Sequence, residues 1–164
     1  MLANVNSATV LGLNAYIIRV EVDSLFGVGR FTIVGLPDAA IRESKERIES
    51  AIKNSQIEMS FFKKITVNLA PADLKKEGPA FDLPIAVGLL ATDGIIDPGQ
   101  LTKRVMFGEL SLNGDVRAIK GVLSMVIEAS ERGFEEVLVP AENAEEASLV
   151  KDIKVVPVRN LAET

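Results

Sequence analysis

The 164-residue chain has no cysteine, no histidine and no tryptophan, and one tyrosine. Without cysteine there is neither a disulfide framework nor thiolate chemistry, and a reducing cytosol fits. Without histidine the commonest general base and metal ligand is missing, so Ser-His-Asp and Cys-His sites cannot form within the chain. Aromatic residues make up 5%, so Phe61-Phe62 is expected inside as core rather than outside as a stacking platform. No long apolar run occurs: Leu83–Ala91 is interrupted by Gly88 and stops at Thr92-Asp93-Gly94, too short to cross a bilayer. The start, MLANVNSATV, has neither the positive charge nor the apolar block of a secretory signal. A soluble, cytoplasmic protein without a membrane partner is expected. No G-x-x-x-x-G-K-[ST] loop is present, and Gly27-Val28-Gly29 lacks the rest of a dinucleotide fingerprint. The chain by itself is therefore expected to bind no cofactor, and that glycine pair reads as a turn.

What is present suits one domain over residues 1–164, with 48% hydrophobic and 25% charged residues. The net charge of −5 argues against broad binding to a phosphate backbone and leaves room for a local basic patch. Lys63, Lys64, Lys75 and Lys76 bracket one strand and its loop. They read as ordinary solubilising lysines or as a surface for DNA or a neighbouring subunit. Glu142, Glu145 and Glu146 fall on a predicted helix, where a solvent face is the simpler reading than a Mg²⁺ cage. No metal site is expected.

Strands are predicted over Ala8–Leu11, Ala15–Val22 and Arg30–Val34, rich in β-branched residues and separated by glycines. A helix follows Pro37-Asp38. Ile41, Ile48, Ala51 and Ile52 form its apolar stripe, and Arg42, Glu43, Glu46, Arg47 and Glu49 its solvated side. The pairs Glu43/Arg47 and Glu49/Lys53 have the favourable i,i+4 order. Lys63–Leu69 is a strand. Gly78-Pro79 then opens a core helix in which Asp82 is expected to cap the first turn and Pro84 needs no donor. Val105–Leu112 and Val116–Ile119 are predicted strands joined by a two-residue Asn113-Gly114 turn. A helix from Gly121 to Gly133, strand Val137–Val139, helix Glu142–Val150 and strand Ile153–Val158 complete the order. Alternating strands and helices predict an α/β or α+β fold with a mixed β-sheet packed by helices.

With histidine and cysteine gone, the remaining nucleophile chemistry is a Ser or Thr with a Lys base. Gly78-Pro79-Ala80, Gly108–Val116, Ile119-Lys120-Gly121, Gly133-Phe134 and Val137–Pro140 resemble the proteolytic domain of Lon. In that family a Gly-Pro-Ser turn presents the nucleophile at a helix mouth, and a lysine past an Ile-Gly-Gly turn is its base. Carried over, the nucleophile position falls on Ala80 and the lysine position on Leu123, and no Ser or Thr occurs between Thr66 and Thr92. Catalytic residues are therefore expected to be absent, and the turn to survive as a scaffold.

Three longer motifs, Val34–Asp38 with Glu43–Arg47, Ile65–Asp73 and Lys76–Ala86, resemble the ComM/YifB family of magnesium-chelatase-like AAA+ ATPases. The resemblance spans essentially the whole chain. It implies a Lon-like domain with a fold similar to the second domain of ribosomal protein S5, followed downstream by an AAA+ module that takes ATP and Mg. It further implies a hexameric motor for DNA branch migration in natural transformation, and, through the chelatase likeness, a relation to magnesium insertion into porphyrin. The expected function is a non-catalytic accessory domain aiding ring assembly or DNA engagement, its partners being its own AAA+ module, neighbouring subunits and DNA. The alternatives are an oligomerisation domain without DNA contact, an accessory to a chelatase-type ATPase, and a peptidase with an unorthodox nucleophile.

Overall fold

A computed structural model describes residues 1–164. β1 (Leu2–Leu11) and β2 (Asn14–Phe26) pair antiparallel from Leu2↔Asp23 to Leu11↔Asn14. Both extend beyond the apolar runs that announce them, because the ladder continues wherever backbone partners face each other. β3 (Arg30–Val34) leads into a short α1 (Ala39–Arg42) and α2 (Ser44–Asn54), and β4 (Lys63–Ala70) returns parallel to β3 and antiparallel to β2. The stripe Ile41, Ile48, Ala51 and Ile52 is fully buried, as expected.

A 3₁₀ turn, Pro79–Phe81, opens α3 (Asp82–Thr92), which is buried along its whole length. A helix apolar all round must be covered all round, and α3 lies against β1 and β2 with α2 beside it. Next come β5 (Arg104–Met106), the pair β6 (Glu109–Leu110) and β7 (Val116–Arg117), then α4 (Val122–Glu131). β8 (Glu136–Pro140), α5 (Ala144–Ala147) and β9 (Lys154–Val158) finish the chain. α4 stops at Gly133 (φ 82°), where Phe134 N–H bonds Ala129 O at 3.1 Å and Gly133 N–H bonds Ser130 O at 3.0 Å, a Schellman closure.

The main sheet has the order β3-β4-β2-β1-β5-β8-β9. Its β3/β4, β1/β5, β5/β8 and β8/β9 pairs are parallel, and β1/β2 and β2/β4 are antiparallel. The mixed sheet with helical cover is the fold class expected. β5 and β8 are covered on both faces: Met106 and Leu138 join the core under α3, and Val105, Val137 and Val139 join a second core against α4. This is why they read as unbroken apolar runs. β2 and β4 alternate instead. Val20, Val22, Ile65 and Val67 point to α2 and α3, and Arg19, Leu25 and Lys64 are exposed on the open face. The halves meet at a narrow seam, where β1 and β5 share one ladder pair, Asn6↔Val105, reinforced by Asn6 Nδ2 donating to Leu101 O (3.3 Å) and Arg104 O (3.2 Å).

Three local expectations are corrected. β6 and β7 pair as Glu109↔Arg117 and Leu110↔Val116, leaving Ser111–Asp115 between them rather than a two-residue turn. Gly114 N–H bonds Ser111 O at 3.0 Å, and Asp115 N–H is drawn to Ser111 Oγ at 3.0 Å; this local side-chain bond shortens the ladder in favour of a bulged loop. The helix expected over 142–150 is a 3₁₀ turn at Ala141–Asn143 followed by one turn of α5, ending in 3₁₀ bonds from Leu149 N–H to Glu146 O and Val150 N–H to Ala147 O. Phe61 is half-buried against the main core, but Phe62 is 83% exposed. Adjacent strand-entry residues point to opposite faces, so only one of the two can enter the core.

Candidate functional site

The Gly-Pro elbow begins at Gly78, whose φ of 84° and ψ of 167° suit a residue without Cβ. It is clamped from one side by the segment Val34–Asp38. Lys76 N–H donates to Leu36 O (3.2 Å), Asp38 N–H donates to Lys76 O (3.1 Å), and Gly78 N–H donates to Asp38 Oδ2 (2.8 Å). The other Asp38 oxygen accepts Ile41 N–H at 2.9 Å, so this carboxylate caps α1 and holds the elbow at once. On the other side Gly108 N–H donates to Ala80 O (2.9 Å) and Leu83 N–H to Gly108 O (3.0 Å). Two motifs far apart in sequence, VGLPD and KEGPAFD, thus fold as one unit.

The elbow opens onto a groove of about 600 Å³. Pro79 and Ala80 form one wall, Ala118–Gly121 with Met125 another, and Thr9 and Val10 the floor. The Ile119 backbone is fixed by Asn143, which accepts its N–H and donates to its carbonyl, both at 3.0 Å. Ala80 lines the groove and packs on the second core. Leu123 lies half-buried in the first turn of α4 and is outside the lining, where Lys120, Gly121 and Met125 stand instead. The groove's hydroxyl and amine are Thr9 and Lys120, and no hydrogen bond joins them.

Asp82 does not cap α3. Its carboxylate is fully buried and accepts Ser44 Oγ (2.5 Å), Arg47 Nε (2.6 Å), Arg47 Nη2 (3.0 Å) and Leu110 N–H (3.1 Å). Arg47 therefore leaves the solvated side where periodicity placed it and ties α2 to the start of α3, and Asp82 carries the tie on to β6. Its bond to Asp82 holds the guanidinium above its ordinary pKa. Burial pushes the Asp82 carboxyl up, while Arg47 and Ser44 pull it back. Glu43 stays within 4.0 Å of Arg47, the i,i+4 contact expected.

The four lysines do not form one patch. β4 holds Lys64 and the Lys75-Lys76 loop apart by about 20 Å. Lys63 pairs with Asp93, Lys75 pairs with Glu77 at 3.1 Å, and Lys64 is exposed. Lys76 is fully buried, donating from Nζ to Gly35 O (2.8 Å) and to Pro71 O. It is corrected from a surface residue to a strut between loops; burial lowers its pKa and Asp73 raises it in part. Acylation of surface amines followed by peptide mass spectrometry is expected to label Lys64 and Lys75 and to spare Lys76 until the chain unfolds. Sequence reading missed Lys76 and Asn143 as supports, because charge and polarity by themselves point outward; the sole hint was the place of Lys76 next to Gly78-Pro79.

No helix is long and apolar enough to cross a membrane. Among known proteins, the chain is 42% identical over 151 residues to the Competence protein ComM of Haemophilus influenzae, a match covering 92% of this chain and 29% of that protein. It is 44% identical over 149 residues to the Uncharacterized protein YifB of Salmonella typhimurium, covering 91% of this chain and again 29% of the relative. A weaker likeness, 31% over 135 residues, joins it to a Lon protease of Koribacter versatilis, covering 77% of this chain and 16% of that protein. The chain thus spans under a third of the length of the ComM and YifB relatives. The family profile for subunit ChlI of Mg-chelatase matches residues 20–143, a span holding the VGLPD clamp, the elbow and most of the groove. The chain belongs to that ChlI family, with ComM/YifB-type proteins as its relatives.

Proposed function

We propose that this chain is the non-catalytic N-terminal accessory domain of a ComM-type AAA+ ATPase, a DNA branch-migration motor of natural transformation, where it aids ring assembly or DNA engagement. The observation that carries this reading is Ala80 at the turn of a fully braced elbow. The brace is kept where a hydroxyl nucleophile would stand, and a methyl group cannot attack a carbonyl. The likeness to Competence protein ComM over nearly the whole chain supports the same reading. ATP and Mg belong to the module expected downstream, because this chain has no phosphate loop. Cytoplasmic work on DNA follows from the same proposal.

A second reading, assembly without DNA contact, is favoured by the dispersal of the four lysines. Of these, Lys63 and Lys75 are paired and Lys76 is buried, so on a chain of net charge −5 the set offers phosphates little. Anisotropy titrations of the full-length protein and of a form lacking residues 1–164, with single-stranded and branched DNA over a range of salt, separate the two. Loss of affinity and of salt slope on truncation supports DNA engagement. Unchanged binding with loss of the ring-sized species supports assembly alone.

Incubation with unfolded casein is expected to give no cleavage at any pH. Cleavage that persists through purification and disappears in Thr9→Val would overturn the non-catalytic reading.

A further inference from the structure

We infer that the outer edge of β3 is a self-complementary interface through which two copies of this chain join their sheets antiparallel. β3 is the last strand on its side, paired only with β4, and Arg30–Val34 make no backbone hydrogen bond outside that pairing. An unpaired strand edge is a template for another strand unless something guards it. The opposite edge is guarded: β9 carries Pro157 and a Lys154 paired with Glu136 at 2.8 Å. β3 has no proline, no lysine and no bulge, and its one charge is at its end, Arg30.

The sequence of the edge selects the occupant. An antiparallel pair of Arg30-Phe31-Thr32-Ile33-Val34 segments, centred on Thr32, sets Thr32 against its own copy and Phe31 against the partner's Ile33. Arg30 then faces the partner's Val34, so no like charges oppose each other across the new ladder. Phe31 and Ile33, each half-buried on the core face, gain cover from the partner's equivalents. The Phe31–Ile33 pairing repeats by symmetry on the other side of Thr32. A two-fold interface requires this property, that one patch fit itself. The inference stands apart from the proposed role: it concerns pairs of this chain, and holds or fails whether or not the domain serves an ATPase.

Thr32 lies on the two-fold axis, so charges placed there meet their own kind. Sedimentation velocity of the wild-type chain is expected to show a concentration-dependent shift from 17.6 kDa to twice that mass. Thr32→Lys and Thr32→Glu are each expected to remain monomeric with unchanged far-UV spectra, and their equimolar mixture to recover the dimer. A wild-type chain that stays monomeric at every concentration overturns the inference and leaves the edge to a strand from another protein. Dimers that survive in both single variants, or a mixture that fails to recover them, also overturn it by placing the contact elsewhere.

Discussion

Asp82→Ala is expected to destabilise the chain by about 3–5 kcal/mol, since removing one partner of a buried ion pair leaves the other charge uncompensated. In a domain of this size that lowers the melting temperature by about 6–20 °C. Loss of a helix cap would cost only about 1 kcal/mol, so the magnitude itself distinguishes the network from the cap the sequence suggested. The bonds lost are those from Ser44, Arg47 and Leu110, which fasten α2 and β6 to the mouth of α3. Asp82→Asn keeps the shape and loses the charge, and is expected to fall between wild type and Ala. Arg47→Met alone should be nearly as damaging as Asp82→Ala, whereas Arg47→Met with Asp82→Leu should recover much of the loss, because the double variant leaves neither charge stranded. Urea melts of all four forms check this; equal losses of about 1 kcal/mol throughout would show that the pair is not buried as described.

Gly35→Ala is expected to be comparably severe for a different reason. Gly35 sits at φ 98°, and a Cβ there would lie 2.2 Å from Leu69 O. The obstacle is hydrogen-bonded backbone near the end of β4, which cannot rotate aside as a side-chain tip can. Left-handed strain contributes about 1–3 kcal/mol and the steric overlap a similar amount, so a loss of about 3–5 kcal/mol is expected in a urea melt. The effect should spread to the elbow, because Gly35 O accepts from Lys76 Nζ and Leu36, itself at φ 55°, accepts from Lys76 N–H. Labelling of Lys76 in the native state therefore serves as a second readout: it should rise in Gly35→Ala and stay low in an outlying control such as Gly99→Ala, where the nearest atom is an Asp97 side-chain oxygen at 3.2 Å.

Much of this architecture was legible because it is written locally. The apolar stripe of α2, the unbroken apolar α3 and the Gly133 stop each follow from spacing or backbone preference within a few residues. The linear motifs also announced that an elbow would be present. What the motifs could not announce was that VGLPD would be the elbow's clamp, because that contact spans about forty residues of sequence and is made largely by backbone groups. Asp82 was misread for the same reason. At a helix start an aspartate has a ready local role, and its actual partner Arg47 had an equally ready local role on a solvated helix face. Each expectation was sound for an isolated helix and failed when α2 and α3 packed together. Lys76 was misread because a buried amine is rare enough that composition argues against it, and Asn113-Gly114 because neighbouring Ser111 competed for the turn's backbone.

The single ladder pair between β1 and β5 has a mechanical meaning. A sheet resists twisting in proportion to the bonds crossing each line between strands, and the line through Asn6↔Val105 is crossed by few. Torque applied to β8 and β9 therefore reaches β1 and β2 chiefly through the two helices packed across that line, α3 on one face of the sheet and α4 on the other. The braced elbow stands at the start of α3 and the opposing wall at the start of α4, so flexing of the sheet about its midline changes the angle at which Pro79 and Ala80 face that wall.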